Sequence, residues 1–222
     1  VLPYSVMAVL FPIMAGFANK PDAAQRTYST TIRFLLASML PVTLTAVILA
    51  DPLLQLWLGA EFAKNGAPIL QILAIGVLIN TLAQAPANLI QSTGNPKWMA
   101  ILHVIELPIF LITIWWLTSK YGTIGTALSW TGRMALDSLM LFAIVKKNLS
   151  KMDMPRQWFI YCILLIAITL SPVLAQTTTP EKIIHWATAM TLLAPFTWKF
   201  ILTSEDRLTI LSIPKIRARL SS

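Results

Sequence analysis

Long apolar runs recur along this chain with short polar breaks between them, and seven approach or exceed the roughly 20 residues an α-helix needs to cross a bilayer. They fall at 1–18, 31–50, 67–91, 98–117, 122–145, 158–175 and 183–202. The pattern predicts an all-α, polytopic membrane helix bundle of about seven transmembrane helices. The breaks are short, the longest running over 51–66. Residues 1–145 hold five spans, 146–202 two more, and 203–222 a basic tail in which Leu208, Leu211, Ile213, Ile216 and Leu220 alternate with charges, as in a helix lying on a membrane surface.

Polar and backbone-altering residues inside the runs refine this picture. Pro12, Pro41, Pro86, Pro108, Pro172 and Pro195 fall within spans, where each removes a backbone donor and favours a kink, although proline is also simply commoner in membrane helices. Gly125, Ala127, Ser129 and Gly132 give the fifth span small residues at near-helical spacing, a pattern that permits close helix packing. Asn80, Gln84, Asn88 and Gln91 recur at intervals of four, four and three, placing four amides on one face of the third span. Lipid penalises such a face. It is expected to line a cavity that suits a hydroxyl-rich ligand, or to hydrogen-bond a neighbouring helix.

Composition and charge place the chain firmly in the membrane class. Hydrophobic residues make up 56% of it and charged residues 12%, against about 25% charged in soluble domains. The net charge of +8 is spread between apolar runs instead of gathered on one patch, which argues against nucleic acid as a partner. Cys162 has no second cysteine to pair with, which excludes a disulfide framework and a thiolate metal site. Alternate breaks differ in basic content. One side carries Lys20, Arg26, Lys97, Lys146, Lys147, Lys151 and Arg156, with Arg207, Lys215, Arg217 and Arg219 in the tail, and the other only Lys64, Lys120 and Lys182. The positive-inside rule makes the first side cytoplasmic, with the C-terminus inside. The first span then enters from outside, and an odd number of helices is expected before it. The opening Val1-Leu2-Pro3, mid-apolar and without an initiator methionine, likewise suggests the C-terminal part of a longer polypeptide. Trp98, Trp115, Trp116, Trp158 and Trp198 sit near span ends, where indoles anchor at the interface.

Charges within spans are the candidate chemistry. The fourth span carries His103 and Glu106, the fifth Arg133 and Asp137. Counting 1.5 Å per residue sets Glu106 and Arg133 at matching depth near the midplane, and His103 and Asp137 together about 8 Å from the inner side. Cross-pairing of Glu106 with Arg133 and of His103 with Asp137 is therefore expected between the two helices. An intramembrane charge costs about 3 kcal/mol or more, so the cluster reads as a substrate-binding or coupling site, with charge neutralisation that sets helix register as the plainer alternative. No metal-ligand spacing or glycine-rich phosphate loop occurs, and neither a catalytic constellation nor a cofactor is expected.

Several segments carry a family resemblance. Leu58-Gly59-Ala60-Glu61-Phe62-Ala63 with Ala67-Pro68-Ile69-Leu70-Gln71-Ile72-Leu73 is one, and Asn88-Leu89-Ile90-Gln91-Ser92-Thr93-Gly94-Asn95-Pro96-Lys97 another. Glu106-Leu107-Pro108, then Tyr121-Gly122-Thr123-Ile124-Gly125-Thr126-Ala127-Leu128-Ser129-Trp130, and Arg133 with Asp137 continue it. In this order they resemble polysaccharide and O-antigen flippases of the multidrug, oligosaccharidyl-lipid and polysaccharide exporter superfamily, over about residues 1–145. The resemblance implies a non-enzymatic transporter in the bacterial inner membrane, of which 1–145 form most of the second of two lobes. Its implied cargo is an undecaprenyl-pyrophosphate-linked oligosaccharide moved by alternating access. Its implied partners are membrane lipids, the N-terminal half of the same polypeptide and proteins of polysaccharide assembly. A cation-coupled drug or metabolite antiporter of the same superfamily shares the architecture. A membrane polymerase or ligase fits the short outer breaks less well.

Overall fold

The structure, a computed structural model, describes residues 21–92, 97–148, 178–204 and 206–208. The expected spans at 1–18 and 158–175, the turn at 93–96 and the tail from 209 onward lie outside the described residues. Among the described residues the chain is helical throughout, in the order α1 (Pro21–Ile48), α2 (Ala50–Leu58), α3 (Ala60–Ser92), α4 (Lys97–Asn148) and α5 (Thr179–Phe196), the last running into a wide turn at Thr197–Ile201. Among the described residues three helices are long and apolar enough to cross a membrane: Gln25–Ile48, Ala60–Ser92 and Lys97–Lys147.

A straight helix over Lys97–Lys147 would be about 75 Å long, more than twice the hydrocarbon thickness. Instead α4 breaks at Gly122, whose φ of 58° and ψ of −135° suit a residue without a Cβ. The two arms fold back as an antiparallel hairpin. Thr118 and Thr126 meet through their hydroxyls at 2.9 Å, and the Ser129 hydroxyl donates to the Thr113 carbonyl at 3.4 Å. The small residues do what their spacing predicts: Ala127 and Ser129 are buried, and Gly125 lies so close to the Leu117 carbonyl that a Cβ there would collide with it. The fourth and fifth expected spans are these two arms, with scarcely any loop between them.

The expected break over 51–66 is helical. Leu58 ends α2, Gly59 turns the chain with a φ of 91°, and Ala60 begins α3 seven residues ahead of the expected start. Periodicity alone misses this segment because Asp51, Glu61, Lys64 and Asn65 depress its hydropathy while leaving it helix-competent. Gln71 on α3 donates to the Val47 carbonyl at 3.0 Å, satisfying one of the acceptors left open at the end of α1.

Two apolar cores hold the bundle. Tyr28, Ile32 and Leu35 of α1 meet Ala83, Ala85, Leu89 and Ile90 of α3, with Leu102, Leu141 and Val145 from both arms of α4. Leu36, Leu40, Leu44 and Ile48 of α1 pack against Leu193 and Ile201, which docks α5 along the opposite flank. Hydroxyls inside the helices cost little because each finds a carbonyl one turn back, as Thr31 does at Thr27, Thr81 at Val77 and Thr113 at Ile109.

Candidate functional site

Glu106, on the arm of α4 that precedes Gly122, and Arg133, on the arm that follows it, face each other across the hairpin. The Arg133 Nε lies 3.7 Å from Glu106 Oε2, and Glu106 is only 4% exposed. His103, one turn from Glu106 on the same arm, brings Nδ1 to 3.5 Å of that oxygen. Asp137, one turn beyond Arg133, completes a group in which ligand atoms of His103, Glu106 and Asp137 lie within 4.8 Å of one another. The first expected cross-pair is thus formed. The second is not: His103 pairs with Glu106 of its own helix, because the i,i+3 neighbour is nearer than the residue opposite.

These charges are close but not hydrogen-bonded. Both Glu106 carboxylate oxygens, the Arg133 Nε and Asp137 Oδ1 are buried without a hydrogen-bond partner. With both carboxylates ionised, Glu106, Arg133 and Asp137 sum to one negative charge, leaving room for one more positive charge, such as a proton or a monovalent cation. Such a set is costly in a low-dielectric setting until something fills it. The Arg133 guanidinium also lies over the Phe110 ring at 5.0 Å, which steadies its plane while leaving donors free.

A cleft of about 300 Å³ opens beside the group, lined by Glu106, Arg133, Phe110, Thr113, Ser129 and Gly132, with Leu136, Leu139 and Met140 on its apolar wall. Gly132 has open space where a Cβ would stand, so here the small residue widens the cleft instead of closing a contact. The amide face of α3 is not part of this site. Asn80, Gln84 and Asn88 are half-buried and Gln91 is exposed, none lines the cleft, and the Asn88 amide donates to the Gln84 carbonyl at 2.7 Å.

Sequence reading overlooked two intramolecular ion pairs. Arg33, near the start of the second expected span, donates from Nε to Asp206 Oδ2 at 2.6 Å and from Nη2 to Asp206 Oδ1 at 3.3 Å. Asp206 also accepts from the Thr203 backbone and hydroxyl at 2.9 and 2.7 Å. The available signals were a lone arginine in an apolar run and the Thr203-to-Asp206 spacing of a helix cap. Lys182 closes a similar link to Asp51 at 3.1 Å across the other end of α5.

Comparison with known proteins places part of this bundle beside membrane transporters. Residues 15–117 match the MatE family. Over that segment the chain is similar to MatE proteins, and its long apolar helices make it a membrane protein. A Shigella flexneri protein named "Putative O-antigen transporter" is 29% identical over 141 residues, covering 64% of this chain and 34% of that protein. A Bdellovibrio bacteriovorus protein named "Probable lipid II flippase MurJ" is 25% identical over 150 residues, covering 64% of this chain and 29% of that protein. The chain spans about a third of the length of these curated relatives. The resemblance to exporter-superfamily flippases is borne out. The MatE match takes in α1, α2, α3 and the first arm of α4, with His103 and Glu106, and ends before Arg133 and Asp137.

Proposed function

We propose that this protein moves an undecaprenyl-pyrophosphate-linked oligosaccharide across the bacterial inner membrane by alternating access, with its C-terminus in the cytoplasm. The observation that carries the reading is the set of buried, unpartnered charged atoms on Glu106, Arg133 and Asp137 beside a cleft in a membrane hairpin. A MatE segment and relatives named as an O-antigen transporter and a lipid II flippase support the substrate class.

In this reading Arg133 is the switch. Glu106 holds the guanidinium at ion-pair distance while the cluster is anionic. A proton or monovalent cation arriving at Glu106 and Asp137 offsets one of their two negative charges, weakens their hold on Arg133 and frees its planar fork for the pyrophosphate. The two occupancies favour different lobe arrangements, and the difference in their binding free energies shifts the population between inward-open and outward-open states. The sugar travels along a polar path between the two lobes of the full-length protein and the prenyl chain stays in lipid, with the α3 amides Asn80, Gln84, Asn88 and Gln91 as sugar contacts on that path.

The test is sidedness of the lipid-linked oligosaccharide in cells lacking the full-length protein, read with a membrane-impermeant sugar-modifying reagent. Restoring the wild-type gene returns the oligosaccharide to the outer face. Arg133→Gln, inserted at wild-type level, leaves it on the cytoplasmic face, with export reduced at least about tenfold. Export at the wild-type rate by Arg133→Gln would remove Arg133 from the mechanism.

A further inference from the structure

The short helix α2 presents three distinct stripes. Ala50, fully buried, and half-buried Leu54 face the bundle; Leu54 reaches the space beside Gly66, next to Phe62. Asp51 and Gln55, four residues apart, form a polar stripe, and Asp51 is tied to Lys182. Leu53, Leu56 and Trp57, at i, i+3 and i+4, form a third stripe that is 44%, 87% and 81% exposed. Among the described residues nothing covers that stripe, and three large apolar side chains on a nine-residue helix are too many to leave in water without a partner.

Position supplies the partner. Gln25–Ile48 is about 36 Å long, enough for one crossing, so α2 begins where α1 leaves the hydrocarbon. The α4 hairpin gives an independent level. Thr131 donates to the Ile72 carbonyl at 3.0 Å, and the two helices run parallel there. Gly122 lies about two and a half turns above Thr131, and Ala63 the same distance above Ile72, so the hairpin tip and the α2–α3 junction share one level. Exposed Tyr121 stands at this level, and exposed Trp115 and Trp116 lie nearly two turns beneath it, with Lys120 from the tip 4.4 Å over the Trp116 ring. Exposed aromatic rings and lysines at the ends of apolar helices mark the headgroup layer of a bilayer.

We infer that α2 is an interfacial helix that lies in the lipid headgroup layer at this end of the bundle, with Leu53, Leu56 and Trp57 inserted among the acyl chains and Asp51 and Gln55 turned toward water or the bundle. Through Asp51–Lys182 and the Leu54 contact it ties the adjoining ends of α1, α3 and α5 to the membrane surface. The inference rests on the placement of α2 and is independent of what the protein transports.

The experiment uses full-length protein in a cysteine-free background, reconstituted in phospholipid nanodiscs. Single cysteines replace Leu56, Trp57 and, as the polar-stripe control, Gln55, and each carries an environment-sensitive fluorophore. Leu56→Cys and Trp57→Cys are expected to show blue-shifted emission and at least about twofold greater quenching by lipids brominated near the headgroup than Gln55→Cys. Equal, water-like emission at all three positions would overturn the inference. So would blue-shifted emission at Leu56→Cys that brominated lipid does not quench, because that places another part of the protein over the stripe.

Discussion

At the residue scale the molecule turns on charges that solvent does not stabilise. Glu106 and Arg133 approach to 3.7 Å without a hydrogen bond, so their coupling is electrostatic and depends on what else occupies the cleft. A double-mutant cycle with Glu106→Gln and Arg133→Gln, read by thermal unfolding in detergent, is expected to give a coupling of about 1 kcal/mol. Arg33 and Asp206 present the opposite case, a pair joined by direct hydrogen bonds with the carboxylate buried. Burial alone would raise the Asp206 carboxyl, but hydrogen bonds from Arg33 and Thr203 outweigh it and hold that group below the usual carboxylate range. A depressed carboxyl contributes stability above its unfolded value, and that contribution is lost as pH falls through the folded one. Asp206→Asn is expected to cost about 2 kcal/mol near neutral pH, as lost charge-assisted hydrogen bonds do. The gap to wild type should close below about pH 4, which melting curves across pH will check. His103, Glu106, Arg133 and Asp137 were legible as candidates because charges in apolar runs stand out. Arg33 was not, because only the fold brings residue 206 to it.

Elements show why local pattern reads well here and where it fails. The runs at 98–117 and 122–145 reappear as the arms of α4 because apolar length alone forces a return crossing, and Gly122 supplies the turn. Close packing of the arms depends on Gly125, and a side chain there must push the Leu117 carbonyl aside. Gly125→Val is expected to destabilise the hairpin by about 2 kcal/mol or more and to lower the yield of folded, detergent-soluble protein, measured by size-exclusion chromatography. Gly132→Ala, at a position with open space, should leave that yield unchanged. The 51–66 segment went unread as helix because its polar residues imitate a loop, whereas α2 and the first turns of α3 are stabilised by packing of Leu54 beside Phe62 and by Asp51–Lys182.

On the scale of the whole molecule, α1 contributes to both cores, one shared with α3 and α4 and the other with α5. Trp186 reinforces the second by donating to the Thr45 hydroxyl at 3.0 Å, while Thr45 donates in turn to the Pro41 carbonyl at 2.8 Å. Orientation belongs to this scale too. A reporter fused to the C-terminus is expected to be active when it requires the cytoplasm and silent when it requires the periplasm, because lysines and arginines crowd that side. From sequence alone came the all-helical membrane class, the two apolar arms of α4 with their small-residue contact and the charged residues worth testing, since hydropathy, helical period and the cost of burying charge are local quantities. Only the tertiary structure decided which charges meet, that the amides of α3 stand apart from the cleft, that Arg33 is matched to Asp206, and that α2 leaves an apolar stripe uncovered. Those outcomes depend on distances between residues far apart in the chain, and helix packing sets them.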